Sequence, residues 1–398
     1  MKPFVFLLVS LTACTAGRPT EQYGFVTLLG RDTVAVERIA RSPGTLISDD
    51  VDRFPLVRLR HTEFALAPDG SILHMTMDVR TPSGATPRER GRRVTAEFTR
   101  DSVRISIRDS SGVTDTAFAT GGALTVPHVS QLYSVIELEI AAAMARGVAA
   151  KMSAGDSVPF RQFYPDRDNG PSFVLHSGFV HPLPNGKVEL WHDWLSGIGD
   201  ATLDTDRRLL SYSGERSTYK VAVQRIAGRL DVESIGAQFA TSEKRIGAAQ
   251  LSVRDTVRAS IGNAKVTVDY GRPLARGREL LGNVIAYDYV WRTGANAATQ
   301  FTTSAAILLD GLPLPAGRYT LWTAPHKDGV ELIVNTQSGQ WGTEYDSEFN
   351  LGTAPLHTEH LATPTEKFTI SIVAADAQHG SLILEWGTFR WTAPIIVR

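Results

Sequence analysis

Residues 73–80, Leu73-His74-Met75-Thr76-Met77-Asp78-Val79-Arg80, set an apolar side chain at every second position, with polar side chains between. Successive strand side chains point to opposite faces, so this segment predicts a strand with one face buried and one wet. The same period recurs outward from it. Val94, Ala96 and Phe98 alternate before Thr99-Arg100-Asp101-Ser102, and Val103, Ile105 and Ile107 after it, which predicts a hairpin. Residues 25–39 fold back at Gly30-Arg31-Asp32 as another hairpin, and Tyr219, Val221 and Val223 form a later alternating set. Residues 81–91, rich in Pro, Arg and Gly, read as an exposed loop.

A helix interrupts this pattern. Leu132, Ile136, Ile140, Met144 and Val148 recur every four residues, and Ser134 with Glu137 has the spacing of a capping box. Strands plus one helix predict, for residues 23–228, an antiparallel sheet or half-barrel with the helix covering one face. Residues 229–247 read as a linker or connecting helix. From 248 to 398 a second β pattern begins at Val266, Val268 and Tyr270 and continues through Ile307 to Leu314, Tyr319 to Thr323, Glu331 to Asn335, Phe368 to Val373 and Leu382 to Trp386. Breaks at Asp310-Gly311, Pro315-Ala316-Gly317, Asp328-Gly329 and Ser338-Gly339 punctuate it. Short strands with almost no helix predict a β-sandwich or jelly-roll. The chain is therefore expected to be mainly β in two domains, as its 398 residues exceed one ordinary core.

Hydrophobic residues make up 42% and charged residues 21%, so the chain carries enough apolar surface to fold. Its 41 basic and 42 acidic side chains give a net charge of -1 and no electrostatic footprint for nucleic acid.

Cys14 is the only cysteine, which excludes an intramolecular disulfide. Lys2 and the apolar run Phe4-Val5-Phe6-Leu7-Leu8-Val9 precede Leu11-Thr12-Ala13-Cys14. That run is too short to span a bilayer. The pattern resembles the lipobox of bacterial lipoproteins. The resemblance implies that residues 1–13 are a signal peptide, that Cys14 carries lipid, and that residues 14–22 tether the protein to a membrane. Thr15 in place of aspartate favours the outer over the inner membrane, by resemblance to enterobacterial sorting.

In the second half, Tyr270-Gly271-Arg272-Pro273, Arg276-Gly277-Arg278, Val290-Trp291-Arg292-Thr293-Gly294-Ala295-Asn296, Ala316-Gly317-Arg318-Tyr319 and Gln340-Trp341-Gly342 follow one another in order. This series resembles the bacterial domain-of-unknown-function family 2911 (DUF2911). The resemblance covers about the last 150 residues and implies a fold without a function. Ala297 stands where that family usually has glutamate, and Asn350 to Pro355 lacks its acidic and arginine residues.

Arginine forks suit carboxylate or phosphate and stack on aromatic rings. Tyr270, Arg272, Arg278, Trp291, Arg292, Asn296 and Trp341 are therefore the candidate ligand-binding residues. The alternative is structural, with the arginines bonded to loop carbonyls and the tryptophans in the core. Glu344, Asp346 and Glu348 would line one face of a strand, read as a solvated acidic edge. His357-Thr358-Glu359-His360 lies near Pro355 and Pro364 and reads as a loop. His176, His181 and His192, the last beside Asp193 and Trp194, lack metal-ligand spacing. No nucleophile elbow, phosphate-binding loop or zinc-helix motif occurs.

These readings give an expectation of a lipid-anchored envelope protein, non-catalytic, binding a small anionic or sugar-like ligand or an envelope component. The alternative is a lipid-anchored hydrolase acting on envelope or extracellular substrate. Neither cofactor, metal nor nucleic-acid partner is expected. The sequence leaves the oligomeric state open.

Overall fold

The structure, a computed structural model, describes residues 21–53, 56–153, 155–165, 172–192, 197–246 and 252–398. Cys14, the expected signal segment, Asp193 and Trp194 lie outside the described residues. No described helix is long and apolar enough to cross a membrane.

The first domain is one sheet. Its strands are β1 (Glu21–Leu29), β2 (Asp32–Ser42), β3 (Thr45–Asp52), β4 (Arg58–Leu66), β5 (Ile72–Arg80), β6 (Gly91–Phe98), β7 (Ser102–Asp109) and β8 (Gly112–Ala119). They continue with β9 (Thr125–Pro127), β10 (Val158–Tyr164), β11 (Ser172–Pro182), β12 (Lys187–His192), β13 (Ile198–Leu203), β14 (Leu209–Ser213) and β15 (Ala222–Ala227). The fifteen strands lie in the order β8 to β1 and then β15 back to β9. Two meanders thus meet where β1 pairs with β15, and every described pair is antiparallel except β9 with β10. The sheet curls strongly. Phe98 on β6 and Phe118 on β8 reach Phe163 on β10, with ring centroids 5.9 and 5.2 Å apart, so the two margins meet through rings.

The curl encloses a helix. A four-residue turn, α1 (Pro87–Arg90), sits in the segment expected as a loop, and the long helix is α2 (Tyr133–Ala149). The sheet expected to be covered by α2 instead surrounds its first two turns, burying Tyr133 through Ile140 on all sides. Val148 alone of the expected apolar stripe is exposed, at the far end. Glutamates inside such a lumen need partners, because an unpaired buried charge costs several kcal/mol. Glu137 has three: Tyr23 Oη at 2.6 Å, Arg41 Nη1 at 2.9 Å and the Leu209 amide at 2.9 Å. One carboxyl thereby ties the helix to β1, β2 and β14.

The predicted Ser134–Glu137 capping box does not form. Leu132 is the N-cap and offers no side-chain bond. Glu37, reaching in from β2, accepts the amides of Tyr133 at 2.8 Å and Ser134 at 3.1 Å. Leu73 also departs from expectation. Pairing of β4 with β5 slips beyond Ala65, so Ile72 turns inward and Leu73 outward, while Met75, Met77 and Val79 stay buried.

On the outer face, α3 (Val232–Ile246) occupies the expected linker and packs Val232 and Phe239 on Val36, Val51 and Val57. Arg38 anchors it, bonding Glu233 at 2.7 Å and Asp49 at 2.9 Å.

The second domain holds β16 (Ser252–Ile261), β17 (Ala264–Pro273), β18 (Thr299–Thr303), β19 (Ile307–Leu309), β20 (Leu312–Leu314), β21 (Gly317–Pro325), β22 (Val330–Asn335), β23 (Asn350–Ala374) and β24 (His379–Val397). These nine strands run in the order β16-β17-β18-β21-β22-β23-β24-β19-β20. The sheet folds over its core: the Tyr270 hydroxyl on β17 accepts the Ile370 amide on β23 at 2.8 Å, although those strands are not neighbours in that order.

His357 to His360, expected as a loop, lies within β23. That strand pairs with β22 as far as Leu356 and with β24 from His357. Its register slips between His360 and Thr365, where Pro364 has no amide to donate. Glu344, Asp346 and Glu348 are not a strand. Asp346 caps a single 3-10 turn, Ser347–Phe349, by accepting the Glu348 amide at 2.9 Å.

The domains touch where the β1–β2 turn meets the loop after β17. The Arg31 amide donates to Arg276 O at 3.2 Å, and the Arg276 guanidinium pairs with Asp32. Gly30 permits this approach, since a Cβ there would stand 2.5 Å from Arg276 O.

Candidate functional site

Beside this contact a cavity of about 230 Å³ opens between the domains. From the first domain come the segment before α2, including His128, Gln131 and Leu132, the first turn of α2, and Tyr212 and Tyr219. From the second come Arg292, Asn296, Trp341 and Thr343. The open end of the curled sheet is thus the floor, and two loops of the second domain are the rim.

Each rim residue is held by its own loop. Trp291 forms a bridge with Thr323 on β21, and Thr293 Oγ1 lies 2.7 Å from Thr323 Oγ1, which fixes Arg292 between two anchored neighbours. Thr293 and Asn296 both adopt positive φ, 49° and 64°. Asn296 O accepts the Gly342 amide at 3.0 Å and Arg292 Nη1 at 3.3 Å. Gly342 leaves room for the guanidinium stem, because a Cβ there would lie 2.4 Å from Arg292 Cδ. Trp341 remains half exposed at the rim.

Electrostatically the cavity is one-sided. None of its described lining residues is an Asp or Glu. Arg292 makes no ion pair among the described residues, and burial alone pushes its guanidinium below the ordinary range. Lys220, outside the lining, is lowered mainly by burial, against the opposing charge of Glu215 and with smaller contributions from Arg278 and Arg292. A partly desolvated cation without a counter-ion is rare unless something supplies one.

The floor is neutral. Burial raises the Tyr133, Tyr212 and Tyr219 phenols well above their ordinary range, so they keep their protons at neutral pH. Beneath them His192 Nδ1 lies 2.8 Å from Gln162 Oε1, Gln162 Nε2 donates to Glu139, and His192 Nε2 stands 3.5 Å from Glu139 Oε1. Burial raises the Glu139 carboxyl far above the usual range. His192 thus lines the cavity while its Nδ1 is held from within by Gln162.

Of the seven residues singled out in the sequence, Arg292, Asn296 and Trp341 converge here and four do not. Tyr270 and Trp291 pack in the second core, Trp291 stacking on Trp386 at 5.5 Å. Arg272 donates to Phe368 O at 2.9 Å, Asp255 at 2.8 Å and Thr369 Oγ1 at 2.6 Å. Arg278 donates to Leu274 O at 2.7 Å and Ala275 O at 3.1 Å. The Arg272 fork is satisfied by β23 and Asp255, and the Arg278 fork by backbone oxygens of its own loop. The first-domain half, including His128, Gln131, Tyr133, Tyr212 and Tyr219, carries no sequence motif and was not singled out. Among the described residues no cluster of three or more His, Cys, Asp or Glu has metal-binding geometry.

Residues 252–395 match the model of a family described as a protein of unknown function, DUF2911. The second domain, from β16 to the end of β24, is therefore similar to that family over nearly its whole length. Among solved structures the chain is similar to a DUF1089 family protein from Pseudomonas aeruginosa, at 13% identity and a TM-score of 0.35. That alignment covers 47% of this chain and 93% of the other. No curated protein matches the sequence.

Proposed function

We propose that this protein is a non-catalytic binding module that holds a small ligand in the cavity between its two domains. One observation carries the reading: Arg292, fixed between anchored neighbours, lines a cavity whose described residues include no carboxylate, and it has no ion pair among the described residues. Aromatic walls with a few placed polar groups are the usual composition of ligand sites. The described lining offers no carboxylate to support the hydrolase alternative, and His192 Nδ1 is held by Gln162. We further propose, from Leu11-Thr12-Ala13-Cys14, that the module is displayed at the cell envelope on lipid attached to Cys14.

Ligand that binds only the folded state raises the melting temperature. Thermal-shift screening of the protein against sugars, carboxylates and phosphates should find compounds that stabilise it, and Trp341→Ala should abolish those shifts. Shifts that survive both Trp341→Ala and Arg292→Gln would place binding elsewhere. For the anchor, a Cys14→Ala variant should lose its membrane fraction and the acyl mass on the mature N-terminus. An unacylated native protein would overturn that half of the reading.

A further inference from the structure

Gln131 lines the cavity with a φ of 68°, a left-handed backbone that glutamine rarely adopts. Its side-chain Oε1 is buried and has no hydrogen-bond partner among the described residues. Strained backbone and an unsatisfied polar atom together are the kind of cost a fold retains at a binding site. Across the same cavity stands Arg292, a donor with no ion pair, and around both lie Leu132, Tyr133, Tyr219 and Trp341. The lining thus presents an unpartnered acceptor, an anion-seeking fork and ring faces.

We infer that the ligand is a small organic anion, a carboxylate or phosphate monoester, joined to a flat apolar body that carries a hydrogen-bond donor. The anion meets Arg292, the body lies against the aromatic walls, and the donor satisfies Gln131 Oε1. A bare inorganic anion leaves the walls wet, and a neutral sugar leaves Arg292 without a counter-charge. The inference rests on the cavity being the binding site.

Isothermal titration of the full-length protein with benzoate, 4-hydroxybenzoate, benzamide, phenyl phosphate and inorganic phosphate tests it. Benzoate should bind about tenfold more tightly than isosteric benzamide, a ratio typical of one charge-assisted contact. Phenyl phosphate should exceed inorganic phosphate by a similar margin, and its ranking against benzoate distinguishes the two anions. Arg292→Gln should erase the benzoate-to-benzamide ratio, and Gln131→Leu should erase the gain from the 4-hydroxyl alone. A purely structural role for either residue would lower all affinities together and leave the ratios intact, which overturns the inference. So does failure of every aryl anion to bind at about 1 mM, roughly the weakest affinity such titrations resolve. Should benzamide bind as well as benzoate, with both lost in Trp341→Ala, the ligand class is wrong and the site stands. Binding indifferent to Trp341→Ala sinks the site itself.

Discussion

Glu37 Oε2, on β2, lies 2.8 Å from the backbone nitrogen of Tyr133 and so caps a helix that begins 96 residues later. Helix N-termini favour a negative charge, whereas complete burial disfavours one. Burial wins here, and the carboxyl is pushed from its ordinary 4.5 up to about 7. The folded state therefore holds a proton that the unfolded chain releases. The resulting stabilisation is complete below pH 4.5 and is lost as the pH rises through about 7.

Glu37→Gln keeps a carbonyl oxygen for the two amides and cannot ionise. Over that window the native protein should lose roughly 3 kcal/mol more stability than the variant, a scale set by the size of the shift. Urea denaturation at a series of pH values measures this. Parallel pH profiles for the two proteins would show that Glu37 does not titrate as described. Asp50, which burial pushes up to about 6, also raises Glu37 through its charge, so the difference between the two profiles reports the coupled pair.

Arg60 provides a second test inside the lumen. Its guanidinium pairs with Asp50 at 2.6 Å and Asp52 at 2.9 Å, and all three side chains are buried. Removing one partner of a buried pair leaves an uncompensated charge. Arg60→Met should cost about 3–5 kcal/mol by chemical denaturation. Adding Asp50→Asn should recover part of that loss, because the stranded charge goes with it. An additive double mutant would argue that the loss is one of packing.

The strands were legible in the sequence because half-buried strands advertise their period, as Met75, Met77 and Val79 do. Their order was not. Pairing of β1 with β15 joins segments about 200 residues apart, and local alternation says nothing about distant partners. The helix cap was hidden for the same reason: Glu37 sits in a run of ordinary strand composition, and nothing near it in sequence marks a helix. Arg292, Asn296 and Trp341 were legible as aromatic and arginine chemistry. That same chemistry also selected Arg272, taken up by β23 and Asp255, and Arg278, taken up by loop carbonyls. Residue type shows what a side chain offers, whereas only the fold shows whether a neighbour has already taken it. Gln131 carried no signal at all, since its significance lies in its φ and in an oxygen left without a donor.

Asp32 and Arg276 join the domains next to the cavity, and Arg276 is largely buried. Asp32→Asn removes a negative charge shared by Arg276 and by Arg53, whose guanidinium is lowered by burial, raised by Asp32 and lowered by Arg276. The domains should then unfold less cooperatively. Scanning calorimetry should show two transitions further apart than in the native protein. Unchanged coupling would mean that the pair does not hold the seam together.

Gly342 separates the shape of the cavity from the stability of the fold. It is buried, and a Cβ at this position would lie 2.4 Å from both Arg292 Cδ and Asn296 O. The first neighbour is part of a flexible side chain. The second is backbone, held by the Gly342 amide itself at 3.0 Å, so the loop has to shift or the guanidinium has to swing away. Trp291, next to Arg292, is held separately by its bridge to Thr323 and its stacking on Trp386, so either movement is borne mainly by residues 292–296. Gly342→Ala should therefore cost about 1–3 kcal/mol, the scale of overpacking a filled site. Affinity for any ligand that stabilises the native protein should fall at least about tenfold, the worth of one charged contact. Melting curves and titrations on the same preparation give both quantities. A large loss of stability with affinity intact would show that Gly342 serves the fold, and that the position of Arg292 is incidental to binding.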